Sequence, residues 1–272
     1  MTDGDDARGG DRPVAGKVLL LAGPGDATNI VFHALEDAFS NIVLVEERTP
    51  SRMALAWRRA RRLGWATVAG QVAFVVLAMP LLRWHARPRI AQILSEAHLD
   101  PRPVRSALHV ASVNSEEAIS ILRHERPSIV VVHGTRVISS DVLDTVGCPI
   151  VNLHAGITPG YRGVHGGYWA LAEGRPELAG ATVHVVDAGI DTGTVLAQAA
   201  FSPTTADSIV SYPYLQLACG LPLLVDQVRQ ILALGSIPVK SPTSTSTGVP
   251  SQLRSHPTVW GYAWRRLTTK VR

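Results

Sequence analysis

Val151-Asn152-Leu153-His154-Ala155-Gly156-Ile157-Thr158-Pro159-Gly160-Tyr161-Arg162-Gly163 begins as a strand and breaks into a glycine-rich loop. Successive side chains of an extended chain point to opposite faces, so Asn152 and His154, two apart, project from the same one. That sets a hydrogen-bond donor beside a titratable group. The loop adds Gly166 and Gly167 to Gly156, Gly160 and Gly163 around Pro159, a composition for a backbone that bends sharply and lets a ligand come close.

Downstream, Ala181-Thr182-Val183-His184-Val185-Val186 alternates like a strand and enters the acidic loop Asp187-Ala188-Gly189-Ile190-Asp191-Thr192-Gly193. The run from Thr194 to Phe201 predicts the next strand. Upstream, Ile129 to Val132 is a fully apolar strand of the kind found in parallel sheets covered on both faces. Two histidines, an asparagine and one or two carboxylates thus fall at strand ends, where open α/β sheets hold their sites.

In order, an Asn-x-His strand, a Pro-containing loop ending in Tyr-Arg-Gly, a Val-His strand and an Asp-x-Gly loop resemble the folate-dependent formyltransferases. That family contains the glycinamide ribonucleotide, methionyl-tRNA and sugar N-formyltransferases. The resemblance is clear over about residues 127–200. It implies a Rossmann-like α/β fold with a largely parallel twisted sheet, and N10-formyltetrahydrofolate as co-substrate with no metal. It also implies Asn152, His154 and Asp191 as the catalytic trio, with His184 on the strand beneath them. The backbone of Arg136, Val137 and Ile138 would hold the pterin, facing Val186, Asp187, Ala188 and Gly189. Arg162 and Gly163 belong to the loop over donor or acceptor. Each residue has a plainer structural explanation: Asn152 as a turn cap, His154 as a satisfied buried histidine, Asp191 as a turn former. Asp187 is the alternative carboxylate, and His133 and His165 are expected in supporting roles.

At 272 residues and 46% hydrophobic composition the chain can form one α/β domain of about 200 residues with additions. The catalytic domain is expected over 16–236, with a disordered stretch 1–15 before it and a linker and basic aromatic segment over 237–272. The net charge of +4 comes almost wholly from arginine, since Lys17, Lys240 and Lys270 are the only lysines. Arg52, Arg58, Arg59, Arg61, Arg62, Arg83, Arg87 and Arg89 crowd one region, so the basicity is local and does not point to a nucleic-acid partner. Cys148 and Cys219 lie far apart in apolar contexts, which fits a reducing, cytoplasmic compartment.

The chain opens with a strand over 16–22, the loop Gly23-Pro24-Gly25-Asp26 and a helix from about Thr28 to Phe39, followed by a strand at 41–47. The Gly-x-Gly loop is either a phosphate cradle or a tight turn. Between Pro50 and Leu99 an arginine-rich run precedes an uncharged stretch from Trp65 to Leu82 flanked by tryptophans, treated as an insertion in the formyltransferase pattern. Its length sits at the lower limit for a membrane span, but a single crossing would part strands that share a sheet. The open alternatives are an interfacial segment on a membrane's inner face and a helix packed on the domain or in a homodimer interface. Further on, Asn114-Ser115-Glu116-Glu117 predicts a capped helix start.

The resemblance leaves the acceptor amine open. An amino sugar on a nucleotide or lipid carrier accounts best for residues 51–90; glycinamide ribonucleotide and methionyl-tRNA are alternatives. A formyltetrahydrofolate hydrolase would need an N-terminal regulatory domain for which 1–16 leaves no room. The alternative of another class is an inactive formyltransferase fold serving as a membrane-bound binding module.

Overall fold

The computed structural model describes residues 16–49, 60–61, 63–238, 248–269 and 271–272. The expectation of disorder over 1–15 and most of the arginine-rich run, with Trp57, lie outside the described residues.

Five parallel strands form the body of the sheet: β1 (Val18–Ala22), β2 (Ile42–Glu47), β3 (Leu108–Val110), β4 (Ile129–His133) and β5 (Ile150–His154). Two antiparallel strands, β7 (Gly180–Val185) and β8 (Val195–Ala200), complete it in the order β3-β2-β1-β4-β5-β7-β8. β1 is buried at every position, as is β4 from Ile129 to Val132, because helices cover both faces. On one face α1 (Asp26–Ala38) and α6 (Tyr212–Leu234) pack over Leu20, Val131, Leu153 and Val183. On the other, α3 (Glu116–Glu125) and α4 (Ser140–Thr145) cover Leu19, Val130 and Ile150. α3 starts as its sequence predicts, with Ser115 Oγ accepting the Ala118 amide at 3.2 Å and two glutamates in the first turn.

The strand order reverses between β1 and β4, the position at which open α/β sheets commonly hold their sites at the carboxyl ends of the strands. Gly23 N donates to His133 O at 3.1 Å, and a Cβ on Gly23 would stand 2.5 Å from Gly134 O. Only glycine lets the two loops meet.

The apolar run predicted from Trp65 is part of one continuous helix, α2 (Trp65–Glu96), with a π-helical turn over Phe74–Ala78. In that turn Met79 N reaches Phe74 O, shifting the ladder by one residue just before Pro80, which has no N–H to give. The charged stretch Arg83–Arg89 continues the same helix.

The C-terminal segment is not an appendage. β6 (Tyr161–Gly163) pairs in parallel with β9 (Gln252–Arg254), and α7 (Val259–Thr268) packs through Tyr262 on Phe74 of α2, ring centroids 5.1 Å apart. A three-residue strand such as β6 cannot satisfy its backbone alone, and β9, from the segment after 236, supplies the partner. α5 (Gly166–Ala172) follows β6 and joins the same cluster.

α6 approaches the sheet through Gly220, where a Cβ would stand 2.8 Å from Leu153 Cδ1 and 2.9 Å from Ala181 Cβ. Gly220→Val is expected to destabilise the fold by about 1–3 kcal/mol through overpacking, read as a lower midpoint in urea unfolding; an unchanged midpoint contradicts this packing.

Candidate active site

Asn152 and His184 are register partners across the antiparallel pair β5–β7, so their side chains stand side by side on one face. His154 lies one pleat further along β5, and the loop after β7 brings Asp191 back over all three. Asp191 sits at φ 52°, a left-handed conformation that aspartate tolerates better than most residues. Its Oδ2 accepts the Gly163 amide at 2.8 Å. Its Oδ1 is 3.4 Å from both Asn152 Nδ2 and His154 Nδ1, and 3.7 Å from His184 Nε2. The trio named from sequence is thus brought together, and His184 is a direct contact of two of its members.

Hydrogen-bond partners fix the protons. His154 Nε2 faces the Tyr161 carbonyl at 2.9 Å, and a carbonyl only accepts, so Nε2 carries the hydrogen and Nδ1 is the basic nitrogen. By the same reasoning His184 Nδ1 donates to Val185 O at 2.8 Å, leaving Nε2 to accept Asn152 Nδ2–H at 3.0 Å. Asn152 therefore aims its amide N–H groups at His184 and Asp191. Burial pushes the His154 pKa down, and only part of that is recovered from the Asp191 charge and the Tyr161 carbonyl. Burial also works against ionisation of Asp191, but the neighbouring histidines and the Gly163 amide outweigh it and hold the carboxylate below its usual range. Neutral His154 with a free Nδ1 beside an ionised carboxylate is a proton acceptor whose imidazolium would find both N–H groups partnered.

Arg162 donates from Nη1 to Ile190 O at 3.0 Å and so ties the β6 loop to the Asp191 loop. Asp187 accepts from Gly189 N at 3.0 Å and Thr192 Oγ1 at 2.7 Å. It shapes the turn, and both contacts are local. His133 Nδ1 bonds Leu153 O at 3.2 Å beneath the site, and His165 pairs with His256 at 2.9 Å away from it.

Beside the trio, Arg136 is held by buried Glu47, through N at 2.8 Å and Nε at 2.6 Å. Asn114 accepts from Ser139 N and donates to Val137 O, so the Arg136–Ile138 stretch is braced from two sides. Ile138 and Val186 enter one apolar cluster, so the two loops predicted to hold the donor are neighbours, and each carries an exposed apolar side chain, Val137 and Ile190. Sequence reasoning missed Glu47, Asn114 and the β9 strand, since none lies near the motif in the chain.

The formyl transferase family model matches residues 49–213, and the chain belongs to that family. The match begins after β1 and β2 and runs through α2, the stretch treated from sequence as an insertion. A phosphoribosylglycinamide formyltransferase of Mycobacterium tuberculosis (strain H37Rv) is 39% identical over 113 residues, covering 40% of this chain and 52% of that protein. A methionyl-tRNA formyltransferase of Pelotomaculum thermopropionicum is 28% identical over 160 residues, covering 56% of this chain and 49% of that one. The chain thus spans about half the length of the curated relatives it matches. Among solved structures, glycinamide ribonucleotide transformylase 1 from Symbiobacterium toebii shares the fold, with a TM-score of 0.50 at 21% identity over 80% of this chain and 88% of that one.

Burial pushes three histidine pKa values down, those of His133 and His154 and that of His165, to about 3. Their folded pKa values lie below the unfolded value near 6.5, so their neutral forms support the fold above that pH. As pH falls below it the unfolded chain binds more protons and stability is lost, at roughly 1 kcal/mol per pH unit for each histidine. The melting temperature is expected to drop between pH 7.5 and pH 5.5, and His165→Asn, which keeps a residue tolerant of the left-handed backbone, should lessen that drop. Equal pH dependence in wild type and variant would contradict the assignment for His165.

Proposed function

We propose that the protein transfers a formyl group from N10-formyltetrahydrofolate to the primary amine of a small acceptor, an amino sugar on a nucleotide or lipid carrier. The observation that carries this reading is the convergence of Asn152, His154 and Asp191 within 3.4 Å of one carboxylate oxygen. The acceptor nitrogen attacks the formyl carbon, a C–N bond forms, and the carbonyl π pair moves onto oxygen. Asn152 donates an N–H to that oxyanion, giving up its long contact to Asp191 while the 3.0 Å bond to His184 keeps the amide oriented. The attacking nitrogen, positively charged once bonded, passes a proton through water to His154 Nδ1, where Tyr161 O and Asp191 support the imidazolium. Collapse of the tetrahedral intermediate restores the C=O bond and breaks the bond to N10, which takes up the proton. The charge and proton balance closes without a covalent enzyme intermediate or a metal.

The Arg136–Ile138 and Val186–Gly189 backbones form the donor site in this reading, and Arg162 and Gly163 close the loop over it. Apolar, arginine-flanked α2 is what favours a carrier-bound amino sugar. The 39% identity to a phosphoribosylglycinamide formyltransferase favours a second acceptor, glycinamide ribonucleotide. With Cys148 and Cys219 both free, a reducing cytoplasmic setting goes with either acceptor.

Asn152→Ala, His154→Ala and Asp191→Asn are each expected to lower formyl transfer by at least about a hundredfold with the fold retained by circular dichroism. Wild-type turnover in any two of them sinks the mechanism. The assay is tetrahydrofolate release and product mass over a panel of amines: formylation of glycinamide ribonucleotide alone selects the second acceptor. Folate binding without turnover of any amine would instead mark an inactive binding module.

A further inference from the structure

A helix that is apolar all round has to be covered on every side by protein or lipid. α2 carries no charged residue from Trp65 to Leu82, yet only 28% of its apolar window is buried, against 39% for the core helix α6. Val68, Gln71 and Phe74 turn inward and anchor it to the domain. Its outer side presents Trp65, Val72, Val76, Leu77, Leu81 and Trp84, each between 47% and 68% exposed.

α7 repeats the pattern. Tyr262 is its buried anchor, while Trp260, Trp264 and Leu267, spaced i, i+4, i+7, form a stripe 55–80% exposed to solvent. A soluble helix turns such a stripe inward. The two helices meet beside these stripes: Gly70 leaves room for the Trp260 ring, whose Cη2 would lie 2.3 Å from a Cβ at that position. Gln71 Nε2 further fixes the pair through Ser255 Oγ at 3.0 Å and His256 O at 2.9 Å.

Along the two chain segments that carry these stripes the charge has one sign, and the acidic groups next to α2, Asp207 and Glu96, are paired with Arg89. No Asp or Glu occurs between Glu47 and Glu96 or after Asp226, whereas Arg61, Arg83 and Arg87 flank the α2 stripe and Arg266 lies beside that of α7. All four are exposed.

We propose that the joined outer faces of α2 and α7 are a docking surface for an anionic lipid bilayer, lying in the headgroup region and not crossing it. Paired indoles at the rim of an apolar strip, with arginines alongside, match the amphipathic interface of a membrane and its negative surface. Crossing is excluded by topology, because α2 leaves from β2 and returns to β3, neighbours in one sheet, and because its inner side is occupied by the domain. The same face is linked to the site: β9, just before α7, pairs with β6, whose Gly163 amide holds Asp191. Docking therefore presents the loop over the active site at a fixed attitude to the lipid surface, whichever amine is formylated.

The test is flotation of the full-length protein with vesicles of phosphatidylcholine alone or with 30% phosphatidylglycerol, and sedimentation velocity without lipid. Binding to the anionic vesicles at low salt, weakened by added salt, is expected. Val76→Glu with Leu77→Glu on α2, and Trp264→Glu with Leu267→Glu on α7, should each reduce vesicle partitioning at least about tenfold, with unfolding midpoints unchanged because all four side chains face outward. Wild type that stays unbound at low salt overturns the proposal. So does equal binding by both double variants, or a lipid-free dimer that either double variant dissociates, which would assign the face to a second copy of the chain.

Discussion

Asp191 holds the candidate site together. One carboxylate oxygen is spent on a backbone amide of the β6 loop, and the other meets nitrogens from β5 and β7. Without that carboxylate, Nδ1 of His154 would lose its charged partner, and the loop over Gly163 would lose one of its attachments to the strand layer. Buried polar groups must find partners, and here they find them in one another. Function and local stability therefore rest on the same few contacts, which is why a conservative change such as Asp191→Asn is informative: shape is kept and charge is lost.

The sheet makes that arrangement available by changing direction at its edge. Were β7 parallel to β5 like the strands before it, His184 would not be the direct partner of Asn152. The antiparallel pair places them opposite one another and leaves each imidazole one nitrogen bound to a carbonyl. Those carbonyls choose the tautomers, and the tautomers decide which nitrogen can accept a proton. Further out, Glu47 and Asn114 do for the Arg136–Ile138 loop what Asp191 does for the loop over Gly163, fixing irregular backbone by side-chain hydrogen bonds.

The two long apolar helices are a lesson in composition against context. α6 and α2 both have the length and hydropathy of a membrane span. α6 is threaded between sheet and helices, with Gln216 bonded to Gly180 O at 2.8 Å and Gly220 against the strands, so its apolar character is spent inside the domain. In α2 the inner half is spent in the same way and the outer half is not, and α7 extends that uncovered surface. The free energy of leaving such area in water favours a partner for it.

The sequence by itself determined the α/β class, the strand positions around the motif and the capped start of α3, and the family resemblance picked out Asn152, His154 and Asp191 as the candidate site. The first three depend on local periodicity and capping chemistry, the last on residue types in a fixed order. Asn152 and His154 are two apart on one strand, so their common face follows from backbone geometry alone. What only the tertiary structure decided lies between residues distant in the chain: the pairing of Asn152 with His184, the contacts of Asp191 with three strands where those of Asp187 stay within its own loop, the bracing of Arg136 by Glu47, and β9 as the partner of β6. The apolar run at Trp65 marked a helix that needs covering, but which half the domain covers, and that Trp260 continues the exposed half, depends on contacts almost two hundred residues apart. Hydrophobicity is a property of a segment, whereas burial is a property of its surroundings, and only folding supplies the second.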